Sequence, residues 1–575
     1  MSELLFSSPV VSNPLISAIR ACPFDLVARA ELAIDGCTGL TNSQLGGQPY
    51  TYAEFHTDPP VALHAPWDYA DSAGRLLEGL TLARIMNGSA PDHRDEALAL
   101  LLASCQREDG LIALPPTPWT HAEPLVEMDW SQRGALMAWT TRYVAADDSD
   151  AIQRAELLVQ GLHRAAVWEG DTCWFPDSFL PARGWTSRLA PIGKMRDVLI
   201  GAQVIFPLAR VAEITGNKQA HQLAHGLIRF LKERSGAFTP DGNLTEKAGH
   251  YFHSNTAFIL GTLKYGVVAG RGDLVDWARS AFNHAMEWGT EFGFFPHRLA
   301  GEDRWRGDVC ATADMVEIAL LLGMHADPLY FAYAERFGRN HLLESQLLDF
   351  DWVEQGVDAP FCQDMWCAQY PEEGLTTQDV CYRALGGFAG WSRLNDAFDP
   401  ANPRLMQRCT GSGIRALYDL WHYTAQRPEG AVRVNLHFSR DTRWATVTSR
   451  VPQEGCVEVM MKTRGVLAVR IPSEVTANQI TLTVNDNPRA ASLRNGYVLL
   501  EALHPGDVVT VKWLVAQRNV SYTTDTETLN GLWQGDTLIY MSPPGLLSPL
   551  YNREPDPPVA PSIMAHGPVK EIDTL

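Results

Sequence analysis

The chain has 575 residues and 46% hydrophobic content, more than one hydrophobic core usually organises, so at least two domains are expected. Its 47 basic against 67 acidic residues leave a formal charge of -20, which excludes the basic surface that nucleic-acid phosphates require. Ten cysteines scattered over this length make no disulfide framework, and no apolar run is long enough to span a bilayer.

In chain order, the opening stretch MSELLFSSPVVSNPLISAIR places no basic leader before its apolar residues, and Ser, Asn and Pro interrupt the run. No export signal is expected, which places the chain in the cytoplasm with reduced cysteines. Residues 1–55 read as a segment packing on the other domains. From 56 to 428, apolar helical stretches alternate with Gly, Asn or Asp punctuation. Six candidate helix pairs begin at Gly74, Gly134, Asp197, Ser254, Ala311 and Gly413. Their irregular spacing suits helical hairpins closed into a ring, an (α/α)6 toroid, better than a tight solenoid. From 429 to 545 the hydrophobic period becomes two, in VRVNLHF, CVEVMMKT, VLAVRIP, ITLTVND, YVLLEAL and DVVTVKWLV, which predicts a β-sandwich. Residues 546–575 form a proline-rich tail expected to run over the surface as a strap.

A helical ring followed by a β-sandwich is common among carbohydrate-active enzymes, and in such rings the loops at one end hold the chemistry. Here those loops are rich in Trp, Asp, His and Glu: HAPWDYAD, LVEMDW, GHYFHSN and EFGFFPHRLAGEDRWRGDVC. The sharpest local pattern is Asp308-Val309-Cys310, because alternate residues of an extended stretch face one side and thiolate with carboxylate suits zinc. Cys409, at the start of the last helix, would meet unpaired backbone N–H groups that lower a thiol pKa. Asp308, Cys310 and Cys409 are thus three candidate zinc ligands with an open fourth position. The plain alternative is that both cysteines are buried apolar thiols. No Walker loop, GxGxxG or GxSxG is present, so neither a nucleotide cofactor nor a serine elbow is expected.

The segments GHYFHSNTAFILGTLKYG, GDVCATADMVEIALLLG, PLYFAYAERFGRNHLL and RCTGSGIRALYDLW, with VRVNLHF and VLAVRIP after them, resemble glycoside hydrolase family 127, the β-L-arabinofuranosidases, over roughly residues 60–515. That resemblance implies an (α/α)6 barrel, β-sandwich modules, and a zinc held by a Glu-x-Cys pair and two adjacent cysteines, one of them the nucleophile. Position by position, Glu-x-Cys falls on Asp308 and Cys310, and the adjacent cysteines fall on Arg408 and Cys409. With Arg408 in the nucleophile's place, either Cys409 attacks or a carboxylate activates water with inversion. Glu291 occupies the place of the general acid/base, with Glu302 and Asp303 as neighbours in competition.

The same resemblance gives His250 a sugar contact, while His253 reads either as completing a metal shell or as a hydrogen-bonded core histidine. Trp67, Asp68, Tyr69, Trp130, Trp305 and Trp366 suit stacking on sugar C–H faces and binding of hydroxyl pairs, and Arg408 joins the substrate contacts. Lys194, Arg196 and Asp197 read as a capped helix start with a solvated basic turn in preference to a site for the carboxylate of an acidic sugar. The expected activity is release of a terminal sugar from an oligosaccharide or glycoconjugate, with a small carbohydrate as partner, no nucleic acid, no membrane, and a homodimer allowed. Two rivals stay open: a lyase or other non-hydrolytic sugar enzyme using His250 or Tyr251 as base, and a non-catalytic carbohydrate-binding relative.

Overall fold

The structure is a computed structural model that describes residues 13–64, 69–114, 125–181, 185, 199–249, 251–354 and 374–553. Among the described residues, twelve of the helices alternate between two layers. They are α1 (Leu26–Gly39), α2 (Tyr69–Asn87), α3 (His93–Ser104), α4 (Trp130–Ala146), α5 (Ser149–Ala165), α6 (Ala202–Thr215), α7 (Lys218–Glu233), α8 (Phe252–Val268), α9 (Gly272–Ala285), α10 (Val309–His325), α11 (Tyr330–Phe337) and α12 (Gln407–Thr424). The even-numbered helices pack each on the next, and α12 packs back on α2, so they close an inner ring. The odd-numbered helices lie outside, α1 coming from the N-terminal segment to cover α2 and α12. This is an (α/α)6 toroid with a β-domain after it.

The inner helices are buried on nearly every side: Phe252 to Gly266 and Val309 to Gly323 are buried without a break. Outer helices such as α7 expose one polar face, the ordinary amphipathic arrangement. Glycine sets the closest approach within the ring. A Cβ on Gly74 would stand 2.3 Å from the Gly134 carbonyl carbon, so α2 and α4 cross backbone to backbone. None of the helices among the described residues is long and apolar enough to cross a membrane.

Beyond α12, two sheets share one core built from residues such as Val434, Val447, Val459, Leu467, Val498 and Val511. The five-stranded sheet includes Val432–Val434 running parallel to Gly465–Arg470, and the six-stranded sheet is antiparallel. The alternating burial of Ala445–Ser449 matches the period-two pattern of the sequence. The strands Gln517–Thr523, Thr528–Gln534 and Thr537–Ser542 differ from the expectation, because they form a separate sheet. Leu529, Trp533, Leu538 and Met541 share a core with Tyr50, Phe55, Phe292, Phe294 and Phe398, so this sheet packs on the ring. The chain just after it is no surface strap either. Leu547, Leu550 and Tyr551 are buried there, and the Asp396 carboxylate accepts the backbone N–H groups of Leu546, Leu547 and Ser548. Residues 554–575 lie outside the described residues.

Candidate active site

The inner helices run in one direction, so their N-terminal ends meet at one pole. Side chains from five of them interlock there. Trp130 of α4 lies 5.1 Å from the ring of His253 on α8, and His253 Nε2 lies 3.2 Å from an oxygen of Asp314 on α10. Arg75 of α2 donates to Ser412 of α12 at 2.7 Å and to its own helix's Asp71 at 2.8 Å. Asp129, just before α4, accepts the N–H groups of Gly201 and Gln203 and so opens α6 at the same pole.

Asp308 is the N-cap of α10: its Oδ1 accepts the Cys310 N–H at 2.8 Å. The short strand Gly307–Asp308 is fixed by antiparallel pairing with Trp391–Ser392, and His297 Nδ1 lies 3.1 Å from Asp308 Oδ2. His253, Asp308 and Cys310 are all buried, and one ligand atom from each falls within 4.8 Å of the others. The sulfurs of Cys310 and Cys409 are 3.4 Å apart, across the α10–α12 contact. An imidazole, a carboxylate and a thiolate, with a second thiol beside them, form a donor set that fits a divalent metal, and the mixed N, O and S ligands suit zinc. The expected set of Asp308, Cys310 and Cys409 is therefore joined by His253.

Charge at this pole is distributed unequally. The hydrogen bond from Cys409 pulls the Cys310 thiol down to about 6 against burial and Asp308, with His253 and Arg75 helping. Cys409 is held well above its ordinary value, first by that same hydrogen bond and then by burial, and nearby Arg408 opposes this only weakly. Burial opposes charge on Asp308 and Asp314, yet His297 and His253 keep Asp308 ionised, and His253, Arg415 and Arg133 do the same for Asp314. Glu127, whose oxygens accept the N–H groups of Asp129 and Ser131 at 2.8 and 2.7 Å, is pushed up to about 7 by burial. The carboxyl that holds a proton near neutrality lies in the loop LVEMDW, at the mouth of α4.

Glu291, expected to be the general acid/base, is placed otherwise. Arg518 donates to both its oxygens at 3.1 and 2.9 Å, Tyr522 donates to it at 3.0 Å, and Arg336 lies 3.8 Å away. It joins the ring to the three-stranded sheet, with both its oxygens turned to Arg518 and Tyr522. Trp305 also turns toward that sheet, donating its indole N–H to Asp525 at 3.0 Å. Tyr69 opens α2 half-buried, with burial raising its phenol. Arg408 is half-buried beside Cys409 and reaches the Met406 sulfur at 3.5 Å. Trp67, Asp68, Lys194, Arg196, Asp197, His250 and Trp366 lie outside the described residues, as do the side chains of Glu302 and Asp303.

The fold supplies groups that the sequence did not single out. His297, Arg75 and Asp314 surround the donor set. Trp391 lies 5.1 Å from His297, and Tyr251, 44% exposed, lies 5.2 Å from it at the rim. The FFPH stretch before Asp308 was the only available signal for His297.

A helical ring with a β-domain behind it has counterparts of known structure. No family model matches the chain, and no curated protein matches it. Among solved structures it is similar to a family 127 β-arabinofuranosidase, at 13% identity over 91% of this chain and 82% of that one, with a TM-score of 0.58. It is similar also to a family 127 β-L-arabinofuranosidase from Geobacillus stearothermophilus T6, at 13% identity over 89% and 80%, TM-score 0.56. A third structure, a glycoside hydrolase, matches at 15% identity over 81% and 77%, TM-score 0.53. At these identities the likeness is one of fold, and the fold is the one the family 127 structures have.

Proposed function

We propose that the chain is a glycoside hydrolase of β-L-arabinofuranosidase type, releasing a terminal sugar, with zinc held by His253, Asp308 and Cys310. The observation that supports it most is the convergence of those three donors with Cys409, 3.4 Å from Cys310, at the loop-bearing pole of the ring. Bound zinc would keep its thiolate ligand ionised and supply positive charge at the site. Without it, the proton shared by the two sulfurs stays on Cys409.

In this reading Cys409 first releases its thiol proton to solvent, as the positive charge of a bound zinc would favour, and its sulfur, as thiolate, then bonds the anomeric carbon while the bond from that carbon to the leaving oxygen breaks. The Glu127 carboxyl gives its proton to that oxygen. A water then displaces the sulfur, passing its proton to the Glu127 carboxylate, so two displacements retain configuration. Trp130, Tyr251 and Trp391 offer the flat faces on which a sugar ring stacks. Hydrolysis of an aryl β-L-arabinofuranoside tests the reading. The wild type should release the phenol and Cys409→Ala should lose at least about a thousandfold in rate. Equal rates in the two would overturn it.

A second reading, elimination from an acidic sugar, is favoured by one pair. Tyr251 and Arg298, whose guanidinium donates to the phenol oxygen at 3.1 Å, set a tyrosine base beside a cation at the rim. An unsaturated product absorbing in the ultraviolet would select it over hydrolysis.

A further inference from the structure

The opposite pole of the ring holds a cavity. Where α8, α10 and α12 end and the chain enters the β-domain, Lys264, Leu321, His325, His422, Arg427 and Trp444 help to line a space of about 570 Å3. That volume lies within the range of small-ligand sites. We propose that this cavity binds a small acidic saccharide, its carboxylate or phosphate on Arg427 and its hydroxyls on His422. The proposal stands apart from the catalytic reading, since none of its residues touches the thiol cluster.

Charge is the first argument. Three cations, Lys264, Arg427 and Arg443, line the cavity against the one carboxylate of Glu213, a local excess of +2 in a chain of net charge -20. Lys264 and Glu213 are paired at 2.8 Å and largely cancel, which leaves Arg427 to set the sign. It is not needed to cap the helix above it. The last carbonyls of α12 are already taken: Arg440 donates to His422 O and Ala425 O, and Asn435 donates to Tyr423 O. Arg427 makes a single hydrogen bond, from Nε to the Gly430 carbonyl at 3.1 Å, so the terminal nitrogens of its fork remain for a ligand.

The second argument is an orphaned polar atom. His422 is 9% exposed and lines the cavity, yet its Nδ1 has no hydrogen-bond partner. A buried polar atom left unpaired costs on the order of 1–3 kcal/mol, which a ligand hydroxyl would recover. Burial, with Arg440 adding to it, holds His422 down to about 3, and burial also lowers His325, so both rings are neutral. A neutral imidazole accepts as well as donates, as hydroxyl recognition needs. Trp444 adds an aromatic side chain to this polar lining.

Calorimetric titration of the full-length protein with glucuronate, glucose 6-phosphate, glucose and inorganic phosphate tests this. One of the two acidic sugars should bind, and which one binds separates carboxylate from phosphate recognition. Glucose and inorganic phosphate should bind at least about tenfold more weakly. Arg427→Gln should weaken binding at least about tenfold, His422→Phe should weaken it also, and Cys310→Ala should leave it unchanged. Should His422→Phe fail to fold, half-buried Arg427 still decides the matter. Binding of neither acidic sugar, equal binding of inorganic phosphate, or binding lost in Cys310→Ala but kept in Arg427→Gln would each overturn the proposal.

Discussion

Replacing Glu291 with Gln should loosen the joint between ring and three-stranded sheet and leave turnover standing. The carboxylate takes the Arg518 fork at 3.1 and 2.9 Å and the Tyr522 hydroxyl at 3.0 Å. Its side chain is 30% exposed and that of Arg518 is 41% exposed, so solvent screening limits the ion pair to about 0.2–1 kcal/mol. Gln keeps one acceptor for Tyr522, so the net cost is on the order of 1 kcal/mol. Ala also strips Tyr522 of that acceptor, and the cost rises to about 2 kcal/mol. Denaturant unfolding followed by tryptophan fluorescence reads the loss, because Trp533 donates to the same Tyr522 oxygen at 2.9 Å. The pH profile of turnover should keep both limbs. A Glu291→Gln protein of wild-type stability whose turnover falls about a thousandfold would refute this and return the proton-donor role to Glu291.

Glu127 carries a pH dependence of definite sign. Its folded value of about 7 lies above the ordinary 4.5, so the native state holds the proton more tightly. Its contribution is full below the ordinary value and is lost as pH rises through about 7, roughly 3 kcal/mol in all. Glu127→Gln should flatten stability against pH across that window and remove the alkaline limb of turnover, as unfolding and rate profiles would show. Arg75→Gln leaves the Asp71 carboxylate buried without its 2.8 Å partner and should cost about 3–5 kcal/mol, measured by unfolding, with Arg75→Lys recovering part. Gly74→Ala puts a methyl 2.3 Å from backbone of α4 and should cost about 1–3 kcal/mol; an unchanged melting temperature would mean that the helices are further apart.

The ring was legible because its punctuation is. Gly74, Gly134, Ser254, Ala311 and Gly413 all fall in inner helices, although Gly74 and Gly134 serve close helix approach and not turns. Inner helices buried all round lose the one-sided pattern, so the sequence could not separate inner from outer layers. Alternation predicted the strands but not their grouping, since Leu529 and Trp533 look alike whether they face a second sheet or the ring. Asp308 and Cys310 were readable from local spacing. His253, Cys409 and His297 join them only through packing between α8, α10, α12 and the FFPH loop, which no local pattern encodes. The contact of Glu291 with Arg518 was not legible either, because the two are 227 residues apart.

Zinc content of protein purified without chelator or affinity metal, compared among wild type, Cys310→Ala and His253→Ala, tests the central claim most directly. The account predicts about one zinc per wild-type chain, lost or greatly weakened in both variants, since each removes one of the donors that converge within 4.8 Å. A metal-free wild type, or zinc retained in full by both variants, would contradict it.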